Sequence, residues 1–115
     1  VKKLTEKFCG VDVHRDLLVA TILCDQTKQT KHFQNDPDDI NKLREWLKTN
    51  ECKKVVMEST SIYWVPLYLA LEETGYNVTL ANAHQVKGIP GRKTDQSDSE
   101  WLAHLLRGNQ IKPSY

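Results

Sequence analysis

The chain has 115 residues, a length that suits one compact domain, with 39% hydrophobic and 27% charged residues in an ordinary globular balance. Its net charge of +1 lacks the basic excess of many nucleic-acid binders, but a metal-dependent nuclease must carry acids for its metal, so total charge does not decide the matter. Three scattered cysteines without a C-x-x-C pair, histidines off zinc-finger spacing and short, charge-interrupted apolar runs argue against a disulfide framework, a zinc finger and a transmembrane helix.

Phe8 to Val13 reads as a buried strand, in which Gly10 permits close backbone approach. His14-Arg15-Asp16 is a tight turn, and Leu17 to Cys24 a second strand rich in apolar and β-branched residues. After the turn Asp25-Gln26-Thr27-Lys28, Gln29 to Gln34 forms a third, more polar strand. Short polar turns between three strands predict an antiparallel meander. The period then changes. Asn35-Asp36-Pro37 supplies an N-cap and a first-turn proline, and Ile40, Leu43 and Leu47 follow at helical spacing until Asn50 and Glu51. Lys53 to Glu58 is a fourth strand. Ser59-Thr60-Ser61 is expected to cap a second helix from about Ile62 to Thr74, stopped by Gly75. Tyr76 to Leu80 is a fifth strand, and Asn82 to Lys93 a polar loop with room for one helical turn. Thr94 is expected to cap a last helix running to about Arg107 and ended by Gly108. The order β-β-β-α-β-α-β-α predicts an α/β fold with a mixed sheet and helices on both faces. The tail Ile111-Lys112-Pro113-Ser114-Tyr115 reads as the start of a further segment, so the domain of residues 1–115 is expected to be truncated at its C-terminus.

Four acids stand in awkward places. Asp12 lies near the end of the first strand between two valines, and Glu58 ends the fourth after Val55-Val56-Met57. A carboxylate at a buried strand end is costly unless it is paired or metal-bound. If the two strands are parallel neighbours, their ends lie roughly 4.8 Å apart, where two carboxylates repel unless a cation sits between them. Asp95 and Asp98 are three apart on the expected last helix and would share its core-facing stripe with Leu102 and Leu105. Each acid alone has an ordinary explanation: a dipole partner for Asp95, turn chemistry for Asp12, an ion pair with Lys53 or Lys54 for Glu58. Only the joint placement points to a metal.

Around them, Arg92 and Lys93 precede the acidic pair, and with Lys87 they are candidates for phosphate contacts; a solvated turn is the ordinary alternative. A serine after Glu58 resembles a nucleophile elbow, but G-x-S-x-G is absent and helix capping is the commoner role. Tyr63, Trp64 and Tyr68 are candidates for base stacking, a spacing more often found in cores.

Three stretches carry a resemblance: Gly10-Val11-Asp12-Val13-His14, then Met57-Glu58-Ser59-Thr60-Ser61-Ile62-Tyr63-Trp64, and Pro90-Gly91-Arg92-Lys93-Thr94-Asp95-Gln96-Ser97-Asp98. Together with Trp101-Leu102-Ala103 and Leu105-Leu106-Arg107-Gly108, they make the chain similar to the N-terminal RuvC-like domain of the DEDD transposases of insertion sequence family one-ten, with the Piv-type invertases as relatives. The resemblance implies a ribonuclease H-like (RuvC-like) fold. It maps the catalytic and metal-binding acids onto Asp12, Glu58, Asp95 and Asp98. It also implies Mg²⁺ or Mn²⁺ as cofactor, DNA as substrate, an RNA guide from the same element, a homo-oligomer in the longer protein and a cytoplasmic site of action. Family members continue into a second domain that supplies a catalytic serine. These residues alone are therefore expected to be inactive in recombination. Two other classes remain: a non-catalytic nucleic-acid-binding module in which the acids only pair and cap, and an ATP-using enzyme of the same fold. The second should show glycine-rich phosphate loops, and Gly10 stands alone.

Overall fold

The computed structural model describes residues 6–59, without the side chain of Ser59, and residues 61–111. Three strands open the chain, β1 (Lys7–Val13), β2 (Leu17–Cys24) and β3 (Thr27–Gln34). Helix α1 (Pro37–Thr49) leads to β4 (Lys54–Ser59), and α2 (Val65–Glu73) to β5 (Asn77–Asn82). A short helix α3 (Ala83–Gly88) and the last helix α4 (Asp98–Arg107) complete it. The sheet order is β3-β2-β1-β4-β5. The β1/β2 and β2/β3 pairs are antiparallel, as short turns require, while β1/β4 and β4/β5 are parallel, as helical crossovers require.

Alternation along the strands divides the side chains between two cores. Cys9, Val11 and Val13 join Val55 and Met57 in the larger core, which Ile40, Leu43 and Leu47 of α1 and Leu67 and Leu71 of α2 cover. On the other face, Val56 and Ala81 pack against Val86, Trp101, Leu102 and Leu105, so α3 and α4 cover that side. Cys9 and Cys52 are buried free thiols, and burial pushes Cys9 well above its ordinary value and Cys52 up to about 11, which leaves both unreactive. Among the described residues, no helix is long and apolar enough to cross a membrane.

Helix α4 lies directly on β1 at Gly10. A Cβ there would stand 2.2 Å from the Ser99 carbonyl oxygen and 2.6 Å from the Ala103 nitrogen. Two polar ties fix the same contact. The buried Thr21 hydroxyl bridges to Ser99 (2.8 Å) and to Thr30 (2.7 Å), joining β2, β3 and α4. Lys28 on β3 donates to Glu100 on α4 (2.9 Å). Burial alone would raise the Glu100 carboxyl, but Lys28 and His104 hold it below its ordinary value.

Relative to the sequence reading, β3 begins at Thr27 rather than Gln29, taking up half of the expected turn, and β5 runs Asn77–Asn82 rather than Tyr76–Leu80; three further boundaries differ by more. α2 begins at Val65 rather than about Ile62, with Trp64 at its N-cap and no side-chain cap. Pro66 sits in its first turn, where a missing N–H costs nothing. Of the three residues expected to cap it, Ser61 accepts instead from the Tyr63 backbone N–H (3.2 Å), while Thr60 and the Ser59 side chain lie outside the description. α3 takes up the first half of the expected loop, capped by Asn82, whose side chain accepts from the His84 and Gln85 N–H groups. The third change, the start of α4, bears on the site.

Replacing Gly10 by alanine is expected to cost about 3 kcal/mol or more, because the colliding atoms are backbone rather than a flexible side-chain end. Gly88→Ala, where a Cβ meets nothing within 4 Å, serves as the control and should leave the melting temperature nearly unchanged. Equal melting temperatures for the two variants would show that α4 does not sit on β1 as described.

Candidate metal and nucleic-acid site

The parallel register sets the first two acids. Gly10 lies opposite Val56 and Val11 opposite Met57, so Asp12 and Glu58 follow as the next residues of adjacent strands. Gly10 and Val56 both face α4, and the two-residue strand period puts Asp12 and Glu58 on that same face. Their strands carry them past the helix start, into the open end of the sheet. Asp12 hydrogen-bonds to His14, Oδ2 to Nε2, at 2.9 Å.

Asp98 is the first residue of α4 and lines a cleft of about 160 Å³ together with Glu58, Lys87, Arg92 and Trp101. Trp101 is buried and its indole N–H points at the Val86 carbonyl (3.5 Å), which keeps α3 against α4. Asp98 forms an ion pair with Arg92 (2.8 Å). Burial, then the charges of Asp12 and Asp98, push the Glu58 carboxyl above its ordinary value, against the opposing pull of Lys87 and Arg92. Three of the four expected acids therefore share one electrostatic environment.

Asp95 does not join them. The expectation that Asp95 and Asp98 share a face of the last helix is corrected here, because Asp95 lies in a turn before α4. The N-cap is Ser97, not Thr94; its hydroxyl accepts from the Glu100 N–H (3.2 Å). Asp95 lines a different cleft, with Lys28, Lys93, Glu100 and His104. The local cause is legible: Ser97-Asp98-Ser99-Glu100 fits the S-x-x-E capping pattern, and Thr94 has no acid or amide at the third position. The preceding turn is closed by Gln96, whose N–H donates to the Lys93 carbonyl (3.2 Å) and whose side-chain oxygen accepts from the Lys93 N–H (3.1 Å).

The expected phosphate contacts divide in the same way. Lys87 and Arg92 border the Glu58–Asp98 cleft, while Lys93 borders the other. Of the aromatic candidates, Tyr63 is exposed, Trp64 is packed against the larger core and Tyr68 is buried within it. Sequence reasoning missed two residues. His14, part of the expected tight turn, stands two residues beyond Asp12. Asn35, part of the expected α1 start, has a second role. Its side-chain amide donates to the carbonyls of His14 (2.9 Å) and Tyr63 (3.1 Å), tying the loop after Asp12 to the loop after Glu58. No local pattern signals that role, which exists only once the two loops meet. A larger groove of about 510 Å³ lies at the opposite end, lined by Arg44, Lys48, Lys53 and Tyr76. It flanks the N-terminal ends of β4 and β5, away from the carboxyl ends where sheets of this kind hold ligands.

A family model described as the IS110-type DEDD transposase matches residues 9–115. The chain belongs to that transposase family. None of the curated protein sequences matches it. Among solved structures, RuvC of T. thermophilus, determined in complex with a Holliday junction substrate, superposes with a TM-score of 0.64. The similarity runs at 13% identity over 94% of this chain and 99% of that one. The transposase domain thus has the RuvC-like, ribonuclease H-like fold, in agreement with the sheet order and the sequence reading. Among its described residues, no three carboxylate, imidazole or thiol groups are already arranged to hold a metal ion. The donors nonetheless suit a hard cation: carboxylate oxygens at two strand ends and one helix start, with Glu58 carrying the repulsion of the other two.

Because the folded state raises the Glu58 carboxyl, its contribution to stability is complete below the unfolded value and is lost as pH rises through the folded one. At neutral pH and without metal, Glu58→Gln is expected to melt higher than the unaltered transposase domain by about 2–4 °C. Below about pH 4 the gap should close, because Glu58 is then protonated in both states. A variant that melts lower at neutral pH, with chelator present, would contradict the crowding of the three acids.

Proposed function

We propose that Asp12, Glu58 and Asp98 hold a divalent cation for phosphodiester cleavage and strand transfer on DNA. The supporting observation is that the first two acids end adjacent parallel strands on the one sheet face that the start of α4 brings Asp98 onto. When bound, Mg²⁺ or Mn²⁺ polarises a scissile phosphate and stabilises the leaving oxygen. The chain's own part is to present the oxygens, exclude water on the Trp101 side and offer Lys87 and Arg92 to the phosphate backbone. Asp95, the fourth acid of the family pattern, lies across the loop from the other three, so three acids carry the proposal. The family reading extends to an RNA guide and self-association, and both belong to the proposal.

The binding-module alternative predicts a fold indifferent to divalent metal. The ATP-using alternative needs backbone exposed at Gly10 to cradle phosphates, and α4 covers Gly10 instead.

Millimolar Mn²⁺ in tenfold excess over its Kd should raise the melting temperature by about 5 °C or more, and Asp12→Asn should remove most of that gain. Nicking of supercoiled DNA should depend on the metal and disappear in Asp12→Asn and Asp98→Asn. An unaltered chain whose melting is unmoved by Mn²⁺ would favour the binding module.

A further inference from the structure

Among the described residues of the loop between α3 and α4, Arg92 is, beside the apolar Ile89, the charged side chain that lines the acidic cleft. Its Nη2 lies 2.8 Å from the Asp98 carboxylate, and the same nitrogen donates to the Gln96 carbonyl at 2.7 Å. The guanidinium therefore ties Asp98 to a turn that the Lys93–Gln96 bonds already close. Lys87 borders the same cleft but forms no ion pair among the described residues.

We propose that Arg92 is the resident counter-cation of Asp98. It holds this carboxylate until a divalent cation displaces it, and the freed guanidinium then binds a DNA phosphate. The inference rests on the reading of Asp12, Glu58 and Asp98 as a cation site. Three physical points support it. The pair is open to water, with 39% of the Arg92 side chain and 54% of the Asp98 side chain exposed, so its exchange is cheap. A cation shared by several carboxylates gains direct bonds from each of them, whereas among the described residues Arg92 forms an ion pair with Asp98 and acts on Glu58 through its charge without such a pair. A guanidinium offers five donors and no acceptor, in a fork that fits phosphate as well as carboxylate, so release from Asp98 leaves it ready for DNA. Metal and DNA should therefore strengthen each other's binding, reciprocally.

The test is calorimetric titration of the full chain with Mn²⁺ alone, without DNA, for the unaltered protein and for Arg92→Gln, Lys87→Gln and Asp12→Asn. Arg92→Gln should bind Mn²⁺ roughly two- to fivefold more tightly, the scale of one exposed ion pair. Lys87→Gln should gain less than half of that, and Asp12→Asn should lose binding. In a parallel titration with a fluorescein-labelled DNA duplex, Mn²⁺ should tighten binding to the unaltered chain more than to Arg92→Gln, and an equal tightening of both would overturn the release of Arg92 to DNA. Equal gains for the arginine and lysine variants would reduce the effect to general charge and overturn the exchange. So would an Arg92→Gln protein that binds Mn²⁺ no better than the unaltered one, while the loss in Asp12→Asn would still uphold the cation site. No Mn²⁺ binding by the unaltered chain would overturn both.

Discussion

The contact between α4 and Gly10 is the constraint on which the rest depends. β1 is the middle strand of five, and it accepts a helix backbone at van der Waals range only because residue 10 has no side chain. That approach buries Ser99 and Glu100, which would be destabilising without partners; Thr21 and Lys28 supply them from β2 and β3. With the helix seated, its first residue has little freedom left. Asp98 stands beside the ends of β1 and β4, where the register has already brought Asp12 and Glu58 to the same face. A packing requirement in the middle of the sheet thus becomes an electrostatic one at its end.

The large features were legible because they follow from periodicity. Short apolar runs bounded by polar turns identified β1 and β4 and left Asp12 and Glu58 at their ends, and the single glycine in β1 marked where another backbone would come close; that the two acids share a face emerges only from the register. Helical spacing of Ile40, Leu43 and Leu47 located α1, with Asp36 at its cap. What stayed hidden was the competition between neighbouring caps. Thr94 and Ser97 both qualify by residue type, and the choice falls to Ser97 through Glu100 three residues on and through the Gln96-closed turn before it. That choice moves Asp95 off the helix and separates it from Asp98. The start of α2 was misread for a similar reason: three hydroxyl residues outweighed a proline that tolerates only the first turn.

At the site, negative charge is concentrated and then locally compensated. Asp12 turns to His14, Asp98 to Arg92, and Glu58 bears the remaining repulsion together with the cost of burial. Such an arrangement limits the cost of the crowded acids in the folded chain without removing it. Locally, the acids of the cleft offset the positive charge of Lys87 and Arg92 beside them. The cost of holding like charges together is borne by the core that seats α4, in keeping with the general pattern that strained or unfavourable placements cluster where function lies.

The most direct test of this account is anomalous diffraction from crystals of the chain grown with Mn²⁺. A Mn²⁺ peak bonded to Asp12 and Glu58 at the ends of β1 and β4 is expected, with Asp98 turned from Arg92 towards it. A peak coordinated by other residues, or none while Asp98 stays on Arg92 at saturating Mn²⁺, would contradict it.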